Sequence, residues 1–190
     1  MYYLSGQFET FLTQPFIGEK TKLQEHFMQN RKINHLTQAA SIAALYVVLT
    51  LLSNVLGLAN YAIQVRFSEA LTILPLFTPA AIPGLYVGCL LSNILTGCIV
   101  WDIIFGPLAT LLGALGTRYL CQKCKWAAPL PPILANTLII PFILSYAYKF
   151  EGSLPYFMAT VGIGEILSCG VLGMLLYFTL FKYRKQLFGE

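Results

Sequence analysis

Nine charged side chains serve the 149 residues from 33 to 181, while seven crowd into residues 1–32 and four into 182–190. A water-exposed domain normally carries about 25% charged residues, against 11% here. A soluble fold cannot cover its surface with so few, so the chain reads as a multi-spanning membrane protein, long enough for one membrane domain. The net charge of +4 is modest. Its basic residues cluster beside apolar runs, where they serve as topological signals and not as nucleic-acid contacts.

The clearest span is Leu36–Leu58, 23 residues without a charge, led by Arg31 and Lys32. From Ala70 to Trp101 run 32 uncharged residues, broken by Pro75, Pro79 and Pro83; two full crossings would need about 40. One crossing must therefore be short, and the prolines place it at Ser68–Phe77, with a turn through 78–83 and a longer helix at Gly84–Val100. Ile103–Leu120, Leu130–Tyr148 after the cluster Pro129/Pro131/Pro132, and Pro155–Phe181 complete an all-α membrane protein, a six-transmembrane-helix bundle. An even number of spans puts both termini on one side. That side holds Lys20, Lys22, Arg31, Lys32, Arg118, Lys123, Lys125, Lys182, Arg184 and Lys185, against Arg66 and Lys149 opposite, so both termini are expected in the cytoplasm of a multi-pass cell-membrane protein. The domain organisation is an N-terminal cytoplasmic extension (1–32), a membrane domain (33–181) and a basic tail (182–190). The extension lacks the apolar core of a secretory signal, and Met28 offers an alternative start.

Between 33 and 181 the carboxylates are Glu69, Asp102, Glu151 and Glu165. All fall at the outer side or on a helix entered from it. Glu165 lies about ten residues into the last span, hence about 15 Å deep, where a bare charge costs about 2.5–3.5 kcal/mol. Such a residue is expected to face the bundle interior, where it finds a partner or a ligand. Arg66 and Glu69 are three residues apart, close enough to pair across a first turn capped by Ser68. Asn93 and Asn136 place amides in two further spans, as ligand contacts or interhelical hydrogen bonds, and Asp102 can cap the fourth helix. Gly84 and Gly88 offer a close-packing face. Ala39/Ala43 and Ala40/Ala44 form two overlapping Ala-x-x-x-Ala pairs on the first helix.

No His-Glu-x-x-His motif, no evident nucleophile with its base and no phosphate-binding Gly-x-x-x-x-Gly-Lys-Ser/Thr loop occurs in the sequence, so neither an enzyme nor a self-energised pump is expected. His26 and His35 both precede the first span, and Cys121/Cys124 is the only close cysteine pair. Neither a metal site nor a disulfide framework follows.

Four blocks resemble the QueT-like S components of energy-coupling factor (ECF) transporters. They are Thr37-Gln-Ala-Ala-Ser-Ile-Ala-Ala-Leu-Tyr-Val-Val-Leu-Thr50, Ile63-Gln-Val-Arg-Phe-Ser-Glu-Ala-Leu71, Pro83-Gly-Leu-Tyr-Val-Gly-Cys-Leu-Leu-Ser-Asn93 and Asp102-Ile-Ile-Phe-Gly-Pro-Leu-Ala-Thr110. The second is the most specific, and the resemblance spans about Leu36 to Phe181. It implies a substrate-capturing subunit for queuosine precursors that associates with a transmembrane T component and two cytosolic ATPases. The chain itself would need no cofactor, ATP being used by the partners. The resemblance also implies that Ala39, Ala40, Ala43 and Ala44 form the face that docks the T component. A 7-deazaguanine presents two edge donors, an acceptor oxygen and a flat face, plus an ammonium in its aminomethyl form. Glu165 or Glu69 would accept the edge, Asn93 and Asn136 would orient the base, and Asp102 would meet the ammonium. Arg66 would hold Glu69 or close the outer loop. An S component for another vitamin and a stand-alone transporter or channel are the alternatives.

Overall fold

A computed structural model describes residue 29 and residues 32–58, 64–149 and 152–188. The extension 1–27, the start at Met28, and Glu151 lie outside the described residues. The chain divides into two compact units, Met1–Thr37 and Gln38–Glu190. In the first, the described residues open a helix in which the Thr37 hydroxyl donates to the Ile33 carbonyl at 2.9 Å. Apart from the opening residues of α1, all that follows concerns the second.

Regular structure among the described residues is helical. The elements are α1 (Lys32–Val55), a 3-10 helix (Phe67–Leu76), α2 (Ala81–Leu95), α3 (Val100–Leu120) and a 3-10 turn at Lys125–Ala127. Then come α4 (Leu130–Phe142), extended by a π-helix at Ile143–Ala147, and α5 (Leu154–Glu165), which passes through a π-helix at Ile166–Leu172 into α6 (Gly173–Phe188). Lys32–Val55, Val100–Leu120, Lys125–Ala147 and Leu154–Arg184 are long and apolar enough to cross a membrane; Phe67–Leu76 and Ala81–Leu95 are apolar but shorter. The basic residues Lys182 and Arg184 lie within α6.

Beside a buried apolar core that includes Ile42, Ile73, Leu74, Phe77 and Leu85, polar side chains lie inside and large apolar ones outside. Tyr46, Thr50, Ser53, Ser68, Glu69, Asn93, Asp102, Thr110 and Asn136 are buried, whereas Val48, Val55, Leu112, Leu138, Val171 and Leu175 are exposed. Helices satisfy their own backbone groups, so lipid can cover such an apolar exterior while polar side chains must find partners inside.

The 3-10 form lengthens the short second helix. At about 2.0 Å per residue, ten residues rise about 20 Å, against about 15 Å in an α-helix. It runs back along α1, matched by polar contacts. Phe67 N–H donates to Ser53 Oγ at 2.9 Å, Tyr46 Oη donates to Glu69 Oε1 at 2.5 Å, and the hydroxyls of Thr50 and Ser68 lie 2.8 Å apart. Ser68 is therefore a buried partner of α1 and not a cap: Arg66 holds the N-cap position, without a side-chain hydrogen bond. Likewise Ile99 precedes α3, and Asp102 sits inside its first turn, facing the favourable end of the helix dipole.

After a turn, Thr78 Oγ1 donates to Gln38 Oε1 at 2.9 Å, and α2 sets off alongside α1 in the same direction. A Cβ on Gly84 would lie 2.7 Å from the Ala39 carbonyl oxygen, and one on Gly88 would lie 3.1 Å from Ala43 Cα and 2.7 Å from Tyr46 Cβ. The glycine pair thus admits the Ala39/Ala43 face of α1 to backbone contact. This divides the four alanines. Ala43 is buried against α2 and Ala39 half-buried, while Ala40 and Ala44 are exposed. The two pairs, one residue apart, point about 100° apart around the helix. Ala43→Leu is expected to destabilise the fold by about 1–3 kcal/mol through overpacking, and Ala44→Leu to leave it unchanged. Thermal unfolding of the detergent-solubilised protein checks both, and equal melting temperatures would refute this packing.

Gly113 and Gly116 of α3 admit Pro132 and Pro131 of α4 in the same manner. The prolines start α4, where a missing N–H costs nothing, and their rings fill the space the glycines leave.

Candidate substrate site

The second residue after Phe67 is Glu69, and the 3-10 helix delivers its carboxylate into the bundle, 3% exposed. Glu165 meets it from α5, as the last α-helical residue before the chain widens into a π-helix. Such widenings recur at functional sites because they re-aim side chains out of the regular helical register. Asn136 on α4 donates through Nδ2 to Glu165 Oε1 at 2.9 Å, and Cys169, one turn after Glu165, donates to its Oε2 at 3.2 Å. Thr72 Oγ1 donates to the Glu69 carbonyl at 2.6 Å and approaches Cys169 Sγ at 3.4 Å. Glu69 Oε1 accepts the Tyr46 hydroxyl, while Glu69 Oε2 is buried and accepts no hydrogen bond among the described residues.

A cavity of about 30 Å³ opens at this centre, lined by Gln64, Arg66, Glu69, Cys89, Gly106, Thr110, Asn136, Ile140, Val161 and Glu165. Four of the six expected site residues thus converge: Glu69, Arg66, Asn136 and Glu165. The Arg66 backbone N–H is held by Ser168 Oγ at 3.1 Å. Its guanidinium forms no ion pair with Glu69 among the described residues. The i,i+3 pairing does not form because the 3-10 helix begins after Arg66 and Glu69 turns inward to Tyr46.

Asn93 and Asp102 are placed differently. Asn93 Nδ2 donates to the Asp102 backbone carbonyl at 3.0 Å, tying α2 to α3, and Asp102 Oδ2 lies 3.5 Å from Tyr148 Oη, which accepts the Ile99 N–H at 3.3 Å. Both are buried beside the cavity and absent from its lining. Gly106 is the partition, since a Cβ there would lie 2.7 Å from Asn93 Nδ2. Asn93, expected to orient the base, and Asp102, expected to meet an ammonium, thus form an interhelical link beside the cavity.

Sequence reasoning missed Tyr46 and Cys169. Both carried a usable signal: Tyr46, Thr50 and Ser53 form a polar stripe at helical spacing on α1, and Cys169 follows Glu165 by four residues. Glu69, Glu165 and Cys169 also bring one donor atom each within 4.8 Å of one another, the spacing of a cation site.

Chemically, the centre offers carboxylate acceptors, an amide, a guanidinium and a thiol inside an apolar bundle. It has the polar groups of a base-reading pocket without the volume, since about 30 Å³ is the space of one water molecule and small-molecule sites run to about 300 Å³ or more.

A family model described as QueT transporter matches residues 36–182. A curated relative, the queuosine precursor transporter QueT of Lactococcus lactis subsp. cremoris (strain MG1363), is 29% identical over 152 residues, covering 74% of this chain and 89% of the relative. No solved structure matches.

Proposed function

The chain belongs to the QueT transporter family, and from that premise we propose that it is the substrate-capturing membrane subunit of an ECF-type importer that takes up a queuosine precursor. The substrate is a 7-deazaguanine, as the cyano or aminomethyl form or as queuine. The observation that carries this reading is the meeting of Glu69, Asn136, Glu165 and Arg66 at one buried cavity, because a carboxylate pair beside an amide matches the donor-rich edge of a guanine ring. Glu165 and Glu69 accept the edge donors, Asn136 orients the base, and Arg66 closes the site from its outer side. The chain captures; a T component and two cytosolic ATPases supply the energy, with both termini of this subunit facing them.

Ala40 and Ala44 give α1 an exposed small-residue face, which suits close approach by a T-component helix. Binding of 7-deazaguanines to the purified protein, with riboflavin and thiamine as controls, tests the substrate class. Only the deazaguanines are expected to bind, and saturable binding of either vitamin with none of a deazaguanine would overturn it. Co-purification with a T component and two ATPases tests the assembly. Ala44→Leu should lower the yield of the complex while leaving ligand binding intact, and transport by the isolated subunit would point to a stand-alone carrier instead.

A further inference from the structure

We propose that Tyr46 is a positioning residue that determines specificity: by holding Glu69 Oε1 it leaves Glu69 Oε2 as the open acceptor, and so sets the site to read a ligand N–H donor. The inference rests on the substrate-binding reading above.

Three of the four carboxylate oxygens at the centre are already engaged. Tyr46 donates to Glu69 Oε1 at 2.5 Å, Asn136 to Glu165 Oε1 at 2.9 Å, and Cys169 to Glu165 Oε2 at 3.2 Å. The fourth, Glu69 Oε2, is buried without a partner among the described residues and belongs to a cavity-lining side chain. A buried acceptor left in that state is costly, and the cost is relieved when a ligand donates to it. Where that oxygen points is set from the other end of the carboxylate. Tyr46 is 1% exposed, its Cβ stands against Gly88, and its carbonyl accepts the Thr50 hydroxyl at 2.9 Å. A phenol packed this tightly cannot follow Glu69 if the carboxylate swings, so it pins one oxygen and aims the other.

A tyrosine hydroxyl in this role also dictates what an amide would do in place of Glu69. In Glu69→Gln the hydroxyl still needs an acceptor, so the amide oxygen turns to Tyr46 and the NH2 group turns to the ligand. The site would then read an acceptor where it had read a donor.

The test is equilibrium binding of 7-cyano-7-deazaguanine, which carries an amine at its 2-position, and of its 2-oxo counterpart, to the purified full chain. The wild type is expected to favour the amine by about tenfold or more, the scale of one buried hydrogen bond. Tyr46→Phe should compress that ratio to below about threefold, since its carboxylate is free to turn. Glu69→Gln should invert the preference toward the 2-oxo ligand, and the double variant, with nothing to orient the amide, should show none. If Tyr46→Phe weakens both ligands equally, or Glu69→Gln keeps the wild-type preference, the role assigned to Tyr46 is wrong. Should Tyr46→Phe not fold, the inversion in Glu69→Gln decides alone. A wild type that binds neither ligand overturns the proposed function itself, which separates the two failures.

Discussion

Glu165→Gln is expected to weaken 7-deazaguanine binding by about 10- to 150-fold, the loss that accompanies removal of a charged hydrogen-bond acceptor worth about 1.5–3 kcal/mol. The substitution is nearly isosteric, and the existing partners tolerate it. The amide oxygen keeps the Asn136 Nδ2 bond, and the new NH2 faces Cys169 Sγ, a weak acceptor, in place of the thiol's present donation to Oε2. Cys169 retains a second acceptor, the Glu69 carbonyl at 3.5 Å. Folding should therefore survive, with a melting temperature within a few degrees of the wild type, while the charge that a ligand edge would meet is gone. Isothermal titration or ligand-induced thermal shift reads the affinity. An unchanged affinity in Glu165→Gln would remove this residue from the site and return it to the role of an interhelical hydrogen-bond acceptor.

Much of the bundle is legible in the residues because a bilayer leaves few choices. Thirty-two uncharged residues with three internal prolines cannot form two regular crossings, and the expected short helix at 68–77 corresponds to Phe67–Leu76. What the residues do not announce is its 3-10 form, because hydrophobic periodicity is blurred where both faces are apolar and buried. The long third helix anticipated at Gly84–Val100 ends instead at Leu95, where Gly97 adopts a left-handed backbone with φ of 72° that glycine tolerates and other residues resist.

The site is legible in part for a related reason. Intramembrane carboxylates are costly, so Glu69 and Glu165 stand out by rarity, and asparagines by the need of an amide for partners. Tyr46 and Cys169 do not stand out by rarity, and their signal lies only in helical spacing from Thr50 and Ser53 and from Glu165. Their role emerges from what they touch. The alanines show the opposite limit: two overlapping pairs were visible, but which faces inward is decided by Gly84 and Gly88 on another helix.

Gly164→Ala is expected to lower the melting temperature by several degrees and ligand affinity by at least about tenfold, through about 1–3 kcal/mol of overpacking. Gly164 immediately precedes Glu165, and the backbone of Gln64 lies directly against it: a Cβ there would overlap the Gln64 carbonyl oxygen and stand 3.1 Å from its carbonyl carbon and 3.4 Å from its nitrogen. These are backbone atoms, so no rotamer change relieves the contact. Either α5 retreats with Glu165, or the segment 64–66 lifts away and loosens the Arg66 N–H bond to Ser168 and the Phe67 N–H bond to Ser53 that seat the 3-10 helix. Both routes move one carboxylate relative to the other. The better helix propensity of alanine returns only about 1 kcal/mol. Gly162→Ala is the matched control, because its Cβ would meet Thr137 at 3.5 Å, an ordinary contact, and the same propensity gain should leave it neutral or slightly stabilised. Equal stability and affinity in the two variants would mean that the contact between Gln64 and α5 does not hold the site together; the expected divergence would tie the glycine beside Glu165 to the placement of the pair.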